Sequence, residues 1–219
     1  MINKIKTFWK NSYFISALTK YQNKQYRKKL TNHHFTILSS NCVSGVLYNR
    51  LGERFDSPTV NIRINNKDFC SFIEYFDYYI KKEIKDHGPD KYNNPTGIIT
   101  GDGKDIPDIV INFVHYKDFK DGQNKWNERK TRINRNNTYI MMYDTDGVTP
   151  EDLKKIENFK CNNKVIFTPN KDLDVNWAFY INADKNAGYL PEFYLLRNVF
   201  GMTPIDKNFD FVSFFNKQN

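Results

Sequence analysis

Residues 35–52 read FTILSSNCVSGVLYNRLG, a short apolar run, a polar turn and then apolar residues at helical spacing. Phe35 to Ser40 has the length and composition of a buried strand. From Cys42 the pattern changes period: Val43, Val46, Leu47 and Leu51 fall on one helical face, and Gly52 stands where a helix ends in the left-handed conformation. A strand feeding directly into a helix is the unit of a layered α/β fold. Downstream the alternation continues. TVNIRI (59–64) predicts a second strand, and Asn66 is placed to cap a helix over KDFCSFIEYFDYYIKKEI (67–84), in which Cys70 reads as inert core. Residues 85–95, with Gly, Pro, Asp and Asn in succession, predict a loop. TGIIT (96–100) and DIVINFVHY (108–116) predict strands joined by a glycine- and aspartate-rich turn or hairpin connection. Then follow a helix over FKDGQNKWNERKTRI (119–133), a strand TYIMMY (138–143), a helix PEDLKKIENF (150–159) opened by Pro150, and a strand KVIFTP (164–169). After Trp177 the chain is aromatic but aperiodic until FDFVSFFNKQ (209–218), which suits a short helix or strand. The expectation is an α/β domain with a mostly parallel sheet over residues 31–219, preceded by a basic amphipathic helical arm over residues 1–30.

The arm sets Ile5, Phe8, Trp9, Phe14, Ile15, Leu18 and Tyr21 near one face and lysines and arginines on the rest. Two readings stand: a helix packed on the domain or a partner, or adsorption to anionic lipid through apolar burial and charge. At 219 residues, with 16% aromatics, the chain is long enough to bury a core without disulfides or metal. A mean hydropathy of −0.71 leaves no run of apolar residues that spans a bilayer. Three cysteines without a C-x-x-C spacing point to a reducing compartment, and no secretory signal is legible, so cytoplasmic residence is expected. The 33 Lys and Arg against 25 Asp and Glu leave a charge of +8. Heavy use of Asn, Lys and Ile accounts for that charge, so it argues only weakly for nucleic acid.

Three constellations carry chemistry. Cys42 lies at a helix N-terminus, where unpaired N–H groups and the dipole stabilise a thiolate, with Ser39, Ser40 and Asn41 at the mouth and Gly45 allowing close approach. The same turn suits a phosphate, and a structural buried cysteine is the plainer alternative. His115, ending an apolar strand, is the base such a thiol needs; His33, His34 and His87 lie in less favourable stretches. Its plainer alternative is a satisfied histidine at the edge of the core. Asp144 and Asp146, two apart after TYIMMY, can share a divalent cation that neutralises the diphosphate of a nucleotide sugar, an arrangement used by glycosyltransferases of the GT-A type. D-T-D-G is also an ordinary turn ahead of a capped helix. Finally, Lys125, Trp126, Arg129, Lys130, Arg132 and Arg135 form a basic helix that can hold phosphate or a carboxylated sugar, or be a solvated face.

The ordered set SSNCVSG, FDYYIKKEI, INFVHYKD, KWNERKTRIN, DTDGVTPEDL and NKVIFTP resembles the bacterial exopolysaccharide-biosynthesis protein family, domain of unknown function nineteen-nineteen. The resemblance runs from about residue 35 to about 182 and rests on Ser39, Asn41, Cys42, Gly45, His115, Tyr116, Trp126, Arg129, Arg132, Ile133 and Asn134. Ser40, Val43 and Ser44 depart from the family's first motif. It implies a Rossmann-like three-layer sandwich and a place in capsule, exopolysaccharide or lipooligosaccharide synthesis, without implying a reaction. The expected function is a transferase acting on a sugar precursor. Its partners are an activated donor, acyl or nucleotide sugar, and a lipid-linked saccharide acceptor at the inner face of the membrane. Cys42 and His115 serve acyl transfer; Asp144 and Asp146, with a divalent cation, serve glycosyl transfer; Ser39, Asn41, Gly45, Trp126, Arg129 and Arg132 hold substrate. The alternative is a non-catalytic carbohydrate- or nucleotide-binding protein of the same pathway.

Overall fold

A computed structural model describes residues 13–182, 190 and 202–217. The opening unit folds as expected: β1 (Thr36–Ser39) leads into α2 (Val43–Leu51), which ends on Gly52 at φ 74°. Before it, α1 (Tyr13–Lys29) packs on α2, where the Arg27 guanidinium donates to the carbonyls of Asn49 and Arg50. Ile15 and Leu30 are buried, whereas Tyr21, expected on the inward face, is 62% exposed. The arm residues Ile5, Phe8 and Trp9 lie outside the described residues. After α2 come α3 (Asn66–Glu74), α4 (Phe76–Tyr79), β2 (Lys85–Pro89), β3 (Pro95–Ile99), β4 (Ile109–Asn112) and α5 (Phe119–Lys130). The chain continues through β5 (Thr138–Tyr143), α6 (Pro150–Glu157), β6 (Asn163–Thr168) and β7 (Ala178–Tyr180) to α7 (Pro204–Asn208) and α8 (Phe211–Asn216).

β1, β5, β6 and β7 form one wholly parallel sheet in that spatial order, with Ile37 opposite Tyr139 and Met141 opposite Val165. TYIMMY is buried along its whole length, as a strand covered on both faces must be. Alternation divides its side chains between two cores. Ile37, Tyr139, Met141, Tyr143, Val165 and Phe167 pack with α2 and α8; Leu38, Ile140, Met142 and Ile166 pack with α3, α5 and α6. The result is a three-layer α/β fold. Among the described residues no helix is long and apolar enough to cross a membrane.

Several elements differ from expectation. TVNIRI is not a strand of the sheet. Asn61 takes a left-handed φ of 62°, which interrupts the extended run. The buried Ile62 and Ile64 then enter the core while Arg63 makes a single bridge to Asn112. The helix after Asn65 breaks at Tyr75 (φ −106°, ψ 35°), and its cap is Asn65, whose side chain accepts from the Asp68 N–H. β2 lies in a stretch expected to be loop. Its residues are mostly exposed because it is the edge of a small antiparallel sheet, ordered β2-β3-β4, with a register shift at Asp86/Gly88. β7, three residues long, also lay in a stretch without legible periodicity.

Candidate functional site

The helices that follow β1 and β5 cover opposite faces of the sheet, α2 on one and α6 on the other, yet β1 and β5 are neighbours. Such a reversal opens a crevice at the carboxyl ends of the two strands, the usual ligand position in an open α/β sheet. Here Ser40, Asn41 and Cys42 leave β1 beside Asp144, Thr145 and Asp146 leaving β5.

The β1 side is shaped by its own polar groups. Ser40 Oγ accepts from the Tyr143 N–H at 3.0 Å, and the Ser40 carbonyl accepts from the Ile64 N–H at 2.9 Å. Ser39 Oγ donates to the Asn41 carbonyl at 2.7 Å and bonds Ser44 Oγ at 2.8 Å; Asn41 Oδ1 accepts from the Val43 N–H at 3.1 Å. Ser39 and Asn41 therefore build the turn. Gly45 packs closely, since a Cβ there would stand 2.5 Å from Asn61 Oδ1 and force that side chain to move. Cys42 occupies the N-cap position of α2, is 8% exposed, and its thiol donates to the Ile62 carbonyl at 3.7 Å.

Behind this turn lies a buried arginine. Arg129 Nη1 donates to the Val60 carbonyl at 3.1 Å and to the Tyr116 hydroxyl, while its guanidinium lies over the rings of Phe55 and Tyr116 at 5.3 and 5.9 Å. The Tyr116 hydroxyl donates to the same Val60 carbonyl at 2.7 Å. Burial raises the Tyr116 phenol; the Arg129 charge opposes the rise, and Asp121 and Cys42 add to it. Cys42, Tyr116 and Arg129 thus share one neighbourhood. Arg132 pairs instead with Asp56 at 3.8 Å and Glu128 at 3.4 Å.

Two expectations are corrected. Trp126 is 1% exposed and packs on Phe72 at 5.9 Å between centroids, so it is core and not a substrate contact. His115 does not end a strand of the parallel sheet. β4 stops at Asn112 and belongs to the antiparallel sheet, which leaves His115 exposed in the turn before α5. The buried scaffold that was to hold it beside Cys42 is absent there; its neighbour Tyr116 occupies that neighbourhood.

On the β5 side, Asp144 is 8% exposed. Its Oδ2 accepts from Thr168 Oγ1 at 2.7 Å and its Oδ1 from Asn66 Nδ2 at 3.3 Å. Asp146 accepts from the Asn66 backbone N–H at 3.2 and 3.3 Å, which ties it to the start of α3. Burial raises Asp144, the Thr168 hydrogen bond opposes the rise and the Asp146 charge adds to it. Among the described residues, the buried Asn66 Oδ1 accepts no hydrogen bond. The sequence reading missed Thr168 and treated Asn66 only as a cap. Thr168 was legible near the end of the apolar strand KVIFTP, and the structure makes it the last residue of β6, the position from which parallel sheets present functional side chains.

A raised carboxyl has a definite linkage sign. The folded state holds the Asp144 proton more tightly than the unfolded chain, so its contribution is full below the ordinary value of 3.8 and is lost as pH rises through the raised value. The stability of the protein relative to its Asp144→Asn variant should therefore fall across that window. Urea unfolding of both proteins over a pH series that starts below the ordinary carboxylate value checks this; a constant difference would refute it.

The chain belongs to the family described as Domain of unknown function (DUF1919), which matches residues 14–216. It is also similar to an uncharacterized protein of Haemophilus influenzae, with 30% identity over 205 residues that cover 92% of this chain and 95% of the relative.

Proposed function

From that family membership and this crevice, we propose that the protein is a transferase acting on a sugar precursor in bacterial surface polysaccharide synthesis. The observation that carries the reading is the position of Asp144, a buried and hydrogen-bonded carboxyl at the mouth between β1 and β5. A carboxyl held in place there is suited to binding the charged end of an activated donor through a cation. The resemblance to exopolysaccharide-biosynthesis proteins supports the pathway, and the crevice supports an activated, phosphate-bearing donor.

Of the two chemistries, glycosyl transfer from a nucleotide sugar is favoured over a Cys42–His115 thioester route. Cys42 is buried with its thiol turned to a carbonyl, and His115 is exposed on a turn. The carboxylates Asp144 and Asp146, both hydrogen-bonded to Asn66, are oxygen ligands of the kind a hard divalent cation takes. Bound there, such a cation supplies neutralisation of a donor diphosphate. Thr168 keeps Asp144 oriented, and Asn66 fixes Asp146 through its backbone N–H. The exposed Lys20, Lys24, Lys28 and Lys29 of α1 suit contact with an anionic inner membrane surface, where a lipid-linked acceptor resides.

Titration calorimetry with uridine diphosphate and manganese chloride tests the donor site. Binding should require the metal and be lost in Asp146→Ala. Nucleotide binding that ignores both the metal and the variant would remove the carboxylates from the donor site.

A further inference from the structure

The end of the parallel sheet opposite the crevice carries a second cavity of about 560 Å³, beside Thr138 at the start of β5. The six residues of β5 separate the two places by roughly 20 Å, so this cavity is not part of the crevice. Its floor is apolar, made by Ile73, Phe76, Ile133 and Phe159, with the Phe76 and Phe159 rings edge to face at 5.5 Å. Its rim is cationic. Arg135, Lys154, Lys155 and Lys160 face Glu74 and Asp77, a surplus of two positive charges.

These four cations are held differently. The Arg135 guanidinium is paired with Asp77 and lies 4.9 Å over the Phe76 ring, and Lys155 is paired with Asp152 at 3.4 Å. Lys154 and Lys160 are exposed and, among the described residues, form no ion pair. The exposed amides of Asn136 and Asn158 add donors and acceptors to the same rim. An apolar floor accepts the C–H face of a pyranose, amides satisfy its hydroxyls, and unpaired ammonium groups favour an anion.

We propose that this cavity binds an anionic saccharide, a sugar bearing a phosphate or a carboxylate, with Lys154 and Lys160 as its charge contacts. The proposal goes beyond the crevice reading and does not depend on it. A sugar phosphate and an acidic sugar of the polymer share the chemistry, and separate arms of one experiment tell them apart.

The test is an amide NMR titration at low salt with four probes: glucose 1-phosphate, glucuronate, glucose and inorganic phosphate. Glucose 1-phosphate or glucuronate should shift the amides of Asn136, Asn158 and Lys160, and whichever binds more tightly identifies the source. The Lys154→Gln/Lys160→Gln variant should bind at least about tenfold more weakly, as expected for lost charge-assisted contacts. Both lysines are exposed, so the variant's unchanged remaining spectrum serves as the folding control. Equal shifts with glucose would overturn the charge assignment. Equal shifts with inorganic phosphate would reduce the site to a general anion patch and overturn the saccharide. Shifts confined to residues 40–42 and 144–146, or none, would overturn the cavity itself. Retained affinity in the variant would overturn the lysine roles. None of these results bears on the activity of the Asp144 variants, so this proposal and the crevice reading fail independently.

Discussion

Replacing Asp206 by alanine should destabilise the protein by about 3–5 kcal/mol, the cost of stranding a buried charge. The charge is Arg50 on α2, whose side chain is 3% exposed and paired with a fully buried Asp206 carboxylate on α7. The Arg50 guanidinium lies against the rings of Tyr26 and Phe211, 5.2 Å from each centre, where the two rings meet edge to face at 4.7 Å, and its Nε donates to Asn23 Oδ1 at 3.3 Å. Asp206 also accepts from the Tyr26 hydroxyl at 3.2 Å and closes the capping box of α7 with Thr203. One carboxylate therefore joins α1, α2 and the C-terminal helices. In the alanine variant the arginine keeps its aromatic walls but loses its counter-charge, and no water-exposed rotamer is within easy reach of a 3% exposed side chain. The thermal midpoint should drop by roughly 10 °C, given a few degrees per kcal/mol for a chain of this size. The double variant Arg50→Met/Asp206→Leu should recover much of the loss, because both desolvation penalties vanish together. Chemical denaturation of the three proteins measures this. A single-variant loss below about 1 kcal/mol, the range of exposed pairs, would show that the pair is solvated.

The second large effect is on transfer. Asp144→Ala should lower the rate by at least about a hundredfold, the usual scale for losing one group that stabilises transition-state charge, while Cys42→Ser changes it by less than about threefold. Asp144 is anchored by Thr168 and Asn66 at the end of a strand buried along its length, so its geometry is inherited from the central strands of the sheet. Cys42 contributes its thiol to a carbonyl inside the fold, a contact a serine hydroxyl can repeat. Product mass spectrometry with nucleotide-sugar and acyl donors, run on both variants, reads the difference. Collapse of activity in Cys42→Ser with Asp144→Ala intact would restore the thioester route.

Much of the framework was legible in residue order. Pro150 marked the start of α6, and the structure adds a capping box between Thr149 and Asp152 that was not read from the sequence. Gly52 marked the end of α2. The candidate site was legible less evenly. Cys42, Asp144 and Asp146 were visible as polar residues following apolar strands, which is where a parallel sheet presents its chemistry. His115 was misplaced because an apolar run does not declare its partners: IVIN pairs antiparallel with β3, not with the strands of the main sheet. Arg129 and Trp126 share one helix, and a composition count cannot tell that the indole is core and the guanidinium buried against Val60 and Tyr116. β2 escaped notice because an edge strand buries little and its residues carry no alternation.

By itself the sequence determined where strands and helices alternate, which turns close them and that each has an apolar side, since these follow from local sterics and short-range periodicity. Tertiary structure alone decided which face of the sheet each helix covers. That choice is made by contacts across long stretches of chain, such as Tyr139 with Phe215 and Phe72 with Trp126. Periodicity specifies that a face must be buried but not against what. The crevice between β1 and β5 exists only because α2 and α6 settled on opposite faces, and the chemistry assigned to Asp144 depends on that outcome.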